Sequence, residues 1–115
     1  MTGNPLVDPD LEVTPERTRD LLEAGEALVV DVREPYEREA GHIEGTRHIE
    51  LERLASQAET LPRDRPIVFH CRLGARSALA ARAFRSAGYD AWSMHGGIQL
   101  WHDRDLPMTG EVADH

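Results

Sequence analysis

The chain has 115 residues, 40% hydrophobic and 30% charged, which suits one compact domain with a single core and excludes a disordered polymer. A formal net charge of −8 argues against general nucleic-acid binding, which depends on neutralising phosphates. The single cysteine excludes an intrachain disulfide, a multi-cysteine metal site and a dithiol couple within the chain.

In chain order, Met1 to Asp10 has neither a basic n-region nor an apolar h-region, so no secretory signal is expected. No later run approaches the roughly 18 apolar residues of a membrane span, and the expected location is the cytoplasm. Leu11-Glu12-Val13 is a short apolar-polar-apolar stretch. Thr14-Pro15 reads as an N-cap with proline at the first helical position, opening a short helix with Leu21 and Leu22 that stops near Gly25. Ala27 to Val32 is a nearly continuous apolar run, as a buried parallel strand requires. The charged string Asp31 to Glu39 leaves the sheet for a loop or a helical turn after Pro35. Gly41 to Gly45 predicts a turn, and His48-Ile49 begins another short element. Leu51, Leu54 and Ala58 have helical spacing.

Pro62 and Pro66 bracket the connection into a second buried strand, Ile67 to Cys71. A helix from Ala75 to Ala87 closes at Gly88. Tyr89 to Met94 predicts a last strand, Gly97 to Asp103 a last helix, and Thr109 to His115 a loose tail. Strands alternating with helices predict an α/β domain over residues 10–107 with a mainly parallel sheet, residues 1–9 and 108–115 being tails.

The informative segment is His70-Cys71-Arg72-Leu73-Gly74-Ala75-Arg76-Ser77. It puts a cysteine at the carboxyl end of a buried strand, where open α/β sheets bind ligands, and runs through a glycine-containing loop into a helix. The unpartnered amides and dipole of such a helix start favour an anion, so a thiolate is expected to be stabilised there, with Arg72 and Arg76 adding positive charge. A lone cysteine after an apolar strand is otherwise a small core residue, but a core residue has no use for two cations and an open loop.

Residues 76, 79, 80, 83, 84 and 87 follow one-face helical spacing, so Arg76 heads the expected core stripe Leu79, Ala80, Ala83, Phe84 and Ala87. An inward guanidinium requires an anion, and Asp31 at the end of the other buried strand is the expected partner. That pairing leaves Arg72 to meet a substrate anion. The six histidines show no i, i+4 pairing or Cys/His clustering, so structural or surface roles are expected for His42, His48 and His70, and no metal site. Strand alternation turns His70 away from the Cys71 face. Trp101 is expected in the core.

Four segments, spread over residues 10 to 107, resemble the rhodanese family: Asp31-Val32-Arg33-Glu34, Gly41 to Gly45, the Cys-x-x-Gly-x-Arg-Ser pattern of Cys71 to Ser77, and Gly96-Gly97 followed by Trp101. The resemblance implies a rhodanese-like α/β fold, with a five-stranded, mainly parallel sheet flanked by helices on both faces. It implies Cys71 as nucleophile, the loop Arg72, Leu73, Gly74, Ala75, Arg76 and Ser77 as the cradle of a persulfide, and Asp31 and Arg33 shaping the pocket, with Arg33 at its rim. The implied activity moves sulfur from thiosulfate or a persulfide donor to a thiol or cyanide, without metal or organic cofactor. A sulfur-relay protein is a further implied partner; nucleic acid and membrane are not. Two rivals share the fold: a non-catalytic interaction module, and a phosphatase or arsenate reductase. The latter carry five residues between cysteine and arginine, where this chain has four.

Overall fold

The computed structural model describes residues 10–113. Its centre is a five-stranded, all-parallel sheet in the order β1-β6-β5-β2-β4, where β1 is Glu12–Val13, β2 Leu28–Asp31, β4 Arg47–His48, β5 Ile67–His70 and β6 Ala91–Met94. Parallel strands need crossovers, and helices α1 (Pro15–Glu23), α2 (Pro35–Ala40), α3 (Leu54–Gln57), α4 (Ala75–Ser86) and α5 (Gly97–Asp103) supply them or close the domain.

The apolar runs of β2 and β5 are explained by burial on two faces. Alternation sends Val30, Val32, Ile67, Phe69 and Cys71 into a core with Ala78, Ala81 and Phe84 of α4 and with Leu54 of α3. Val29 and Val68 go the other way, against Leu21 of α1 and Ile98 and Trp101 of α5. Trp101 is core, as expected, and its indole N–H donates to the Pro107 carbonyl at 3.0 Å.

Local signals set the helix ends. Thr14 Oγ1 accepts from the Arg17 amide at 3.0 Å, with Pro15 at the first helical position. Helix α4 ends one residue before its expected last residue, with Gly88 in the left-handed region at φ 92°.

Two expectations are corrected. The buried face of α4 is Ser77, Ala78, Ala80, Ala81 and Phe84, whereas Leu79 is 58% exposed and Ala83 and Ala87 face solvent. Alanine on every side of this helix removes the contrast on which periodicity depends, and the one large apolar residue misleads. The expected loose tail contributes β7 (Thr109–Gly110), which pairs antiparallel with β3 (Gly41–His42). This ribbon joins segments distant in sequence and has no local signature; an added methyl at Gly41 or Gly110 would strike the opposing backbone. The predicted tail over residues 1–9 lies outside the described residues. No helix among the described residues is long and apolar enough to cross a membrane.

Candidate active site

Cys71 follows β5 directly, and the chain then turns through Arg72, Leu73 and Gly74 into α4. Gly74 takes φ 117°, which a residue with a side chain rarely adopts, and this turns the chain back over the sulfur. The Gly74 amide donates to Cys71 Sγ at 3.1 Å and the Ser77 amide at 3.4 Å, both at the start of α4. Ser77 Oγ lies 3.5 Å from the sulfur, donates to the Gly74 carbonyl at 3.2 Å and meets Ser93 Oγ at 2.8 Å. Cys71 is 1% exposed and packs against the apolar core, yet on its loop side the Gly74 and Ser77 amides and the Ser77 hydroxyl meet its sulfur. Ala75 opens the helix, Arg72 is half-buried, and Leu73, at 62% exposure, is the loop's apolar tip.

The loop's other side is fixed by α5. The Ile98 amide donates to the Cys71 carbonyl at 2.8 Å and the Gln99 amide to the Arg72 carbonyl at 3.1 Å. Approach this close requires Gly97, at φ 64°, because a Cβ there would collide with the Arg72 carbonyl oxygen. Gly96-Gly97 therefore belongs to the site architecture, although neither side chain can do chemistry.

The expected Arg76–Asp31 pair does not form. Arg76 makes a two-pronged bond to Glu37 of α2, Nη1 to Oε1 at 2.8 Å and Nη2 to Oε2 at 3.0 Å. The true inward face of α4 runs through Ser77, so Arg76 sits at its flank, one-third exposed, within reach of α2 rather than of the end of β2. Burial pushes the Glu37 carboxyl up, but the Arg76 hydrogen bonds, the Glu34 amide and the charges of Arg76 and Arg33 together outweigh it and leave Glu37 below the usual carboxylate range. Those bonds to Glu37, ahead of the opposing burial, hold the Arg76 guanidinium firmly charged.

Asp31 pairs instead with Arg33, whose Nε and Nη2 reach its two oxygens at 2.9 Å, and with Arg38 at 3.2 Å. Arg33 was expected at the pocket rim; it is 0% exposed, and its Nη2 also donates to the Gly41 carbonyl at 2.8 Å. Both residues thus brace the frame under α2 and the 41–46 turn. Burial opposes the Asp31 charge, but attraction to His70 and the Arg33 hydrogen bonds outweigh it and hold the carboxyl well below its usual range. Burial holds His70 below the usual imidazole range despite the pull of Asp31, so at neutral pH the arginines supply the compensation.

His48 bonds the Arg33 carbonyl at 2.7 Å and His42 meets Thr109 Oγ1 at 3.1 Å, structural roles both. Sequence reasoning missed Glu37 and Ser93. Glu37 was hidden in a charged string that reads as solvated surface, whereas a serine between Trp92 and Met94 in an apolar strand was a usable signal.

The Rhodanese-like domain profile matches residues 14–104. The thiosulfate sulfurtransferase GlpE of Pseudomonas aeruginosa is 40% identical over 90 residues, covering 77% of this chain and 81% of that protein. Among solved structures, a rhodanese-related protein from Thermoplasma volcanium superposes with a TM-score of 0.80 at 28% identity, covering 88% of this chain and 99% of the other. A protein of unknown function from Rhodopseudomonas palustris, described as a possible tyrosine phosphatase, superposes at 0.73 with 26% identity, covering 85% and 84%.

Proposed function

The chain belongs to the family of rhodanese-like domains, and we propose that, as a sulfurtransferase of that family, it carries sulfane sulfur as a persulfide on Cys71. The observation that carries this reading is the convergence of the Gly74 and Ser77 amides on one sulfur atom at the start of α4. Donors fixed at that point stabilise the thiolate, and the positive end of α4 around them favours the anionic outer sulfur of the persulfide that follows.

In the first step the Cys71 thiolate attacks the outer sulfur of thiosulfate. The new bond is sulfur to sulfur; the bond that breaks is the S–S bond of thiosulfate, and sulfite leaves with its electron pair. In the second, cyanide or a thiolate attacks the outer sulfur of the persulfide, and the Cys71 thiolate is released. The reaction is covalent and two-step, so ping-pong kinetics follow. Neither step asks for a metal or an organic cofactor. The 1% exposure of Cys71 favours a donor that presents one sulfur atom end-on over one that must surround the thiolate.

The same geometry counts against the phosphatase reading. A phosphatase needs its loop arginine on the bound oxyanion, whereas Arg76 is engaged by both oxygens of Glu37. Arg72, half-buried and next to the cysteine, adds a positive charge to the loop that meets the donor. A second reading, in which donor or acceptor is a protein, is favoured by the exposed Leu73 in the loop and by Tyr36, 53% exposed beside Glu37.

Steady-state thiocyanate formation from thiosulfate and cyanide tests the proposal. Parallel double-reciprocal lines, lost in Cys71→Ser, are expected. No turnover with thiosulfate, together with no sulfur uptake from a cysteine desulfurase, overturns it; uptake from the desulfurase alone selects the protein-relay form.

A further inference from the structure

We propose that Ser93 of β6 is a positioning residue for the reacting sulfur: its buried hydroxyl donates to Ser77, which leaves the Ser77 proton for Cys71. The inference rests on the reading that Cys71 reacts as a thiolate, and it adds a residue that lies outside the loop.

Ser93 shares with Ala91 the face of β6 turned toward α4, while Trp92 and Met94 belong to the opposite face. It is 0% exposed, and burying a hydroxyl among apolar neighbours costs free energy unless it is hydrogen-bonded. Among the described residues its hydroxyl has one hydrogen-bond partner, Ser77 Oγ at 2.8 Å.

The direction of that bond follows from counting protons. Each hydroxyl has one proton and two lone pairs. Were Ser77 to donate to Ser93, the Ser93 proton would have no acceptor and the only Ser77 proton would be spent. With Ser93 donating, every group is satisfied in both states of the sulfur. When Cys71 is a thiol, its S–H points to Ser77 Oγ at 3.5 Å and Ser77 donates to the Gly74 carbonyl at 3.2 Å. When the sulfur is an anion, it accepts only, and the Ser77 proton turns from the Gly74 carbonyl to the sulfur while Ser93 goes on donating. A hydroxyl that accepts a hydrogen bond is also the stronger donor, so Ser93 strengthens the third contact on the sulfur, beside the two amides.

The charged groups around the sulfur are Arg72 in its loop and Arg76 on α4 with its partner Glu37 on α2; His70 precedes it on the opposite face of β5. None is altered by substitution at Ser93, so a change in reactivity reports the hydroxyl chain.

The test is the rate of Cys71 alkylation by iodoacetamide across pH in the full chain, for the parent, Ser93→Ala, Ser93→Thr, Ser77→Ala and the double alanine variant. Ser93→Ala is expected to move the profile to higher pH and to slow alkylation at neutral pH about five-fold, the effect of one weakened hydrogen bond to a charged group. Ser93→Thr, which keeps the hydroxyl, restores the parent profile. In the Ser77→Ala background, Ser93→Ala produces no further shift, because the chain is already cut. An unshifted Ser93→Ala profile overturns the proposal. So does a shift of equal size in the absence of Ser77, which identifies a packing effect. Alkylation requires no sulfur donor, so a failure of sulfur loading in the parent chain would count against the sulfurtransferase reading alone.

Discussion

Arg76 and Glu37 face each other through two parallel hydrogen bonds, 2.8 and 3.0 Å long, and this pair ties the first turn of α4 to α2. Glu37 is buried while Arg76 is one-third exposed, so the carboxylate loses more than the guanidinium when the pair is broken. Glu37 also accepts from the Glu34 amide at 2.9 Å and so fixes the start of its own helix. One glutamate thereby sets the position of the loop that holds Cys71 and of the helix beside it.

Glu37→Ala is expected to destabilise the fold by about 1–3 kcal/mol, after allowance for the solvent that reaches Arg76. Urea unfolding measures it. Sulfur loading of Cys71 is expected to slow as well, because the loop loses its anchor on the α2 side. An unchanged unfolding midpoint would show that the pair holds nothing in place.

Asp31→Ala addresses a different charge. It leaves the fully buried Arg33 with the Gly41 carbonyl and without the carboxylate to which it is bonded, Glu37 being engaged by Arg76. Removing one partner of a buried ion pair costs about 3–5 kcal/mol, so this variant is expected to be far less stable than Glu37→Ala. Thermal unfolding of the two side by side checks the order.

Acid sensitivity follows from three groups. His70 is held neutral in the fold by burial, below its ordinary value of 6.5. An unfolded chain therefore takes up a proton that the fold refuses, and stability falls as the pH drops below that value. Glu37 and Asp31 have depressed carboxyls, despite burial, because of Arg76 in one case and of His70 and Arg33 in the other. Their contribution is complete above the ordinary carboxylate range of about 4 and is lost as the pH falls toward their folded values. Unfolding free energy measured from pH 8 to pH 3 is expected to decline in two stages. His70→Asn should remove the first stage and keep a carboxylate stage supplied by Glu37 and by Asp31 on Arg33; a first stage that survives the substitution contradicts the assignment.

Much of this site is legible in the sequence because its signals are local. The apolar run into Cys71, Gly74 at the turn, Thr14-Pro15 before a helix and Gly88 after one each fix their own neighbourhood. What fails is the choice of partner across the fold. Helical spacing points Arg76 inward toward Asp31 at the end of β2, and nothing in Arg33-Glu34-Pro35-Tyr36-Glu37 marks which charges turn inward. Asp31 and Arg33, by contrast, stand two residues apart at a strand end, so they project to one side and meet each other. The β3–β7 ribbon is illegible for a different reason, since its pairing joins residues far apart along the chain.

Glycine substitutions separate backbone strain from collision. Gly25 (φ 69°) has open space where a Cβ would go, so Gly25→Ala is expected to cost about 1–2 kcal/mol for the left-handed conformation alone. Gly97 has nearly the same φ, 64°, but its Cβ would strike the Arg72 carbonyl. Gly97→Ala is expected to cost clearly more and to lower Cys71 reactivity, because the amides of Ile98 and Gln99 must withdraw from the loop. Equal unfolding midpoints for the two variants would contradict this account of α5.

One sulfur atom, held by the amides of Gly74 and Ser77, is proposed to receive another and pass it on. Intact-mass analysis of the chain after incubation with thiosulfate tests it most directly. A gain of one sulfur atom is expected, lost again on adding cyanide and never seen in Cys71→Ser. A chain whose mass stays unchanged with thiosulfate and with a persulfide donor alike, or a gain that persists in Cys71→Ser, would contradict it.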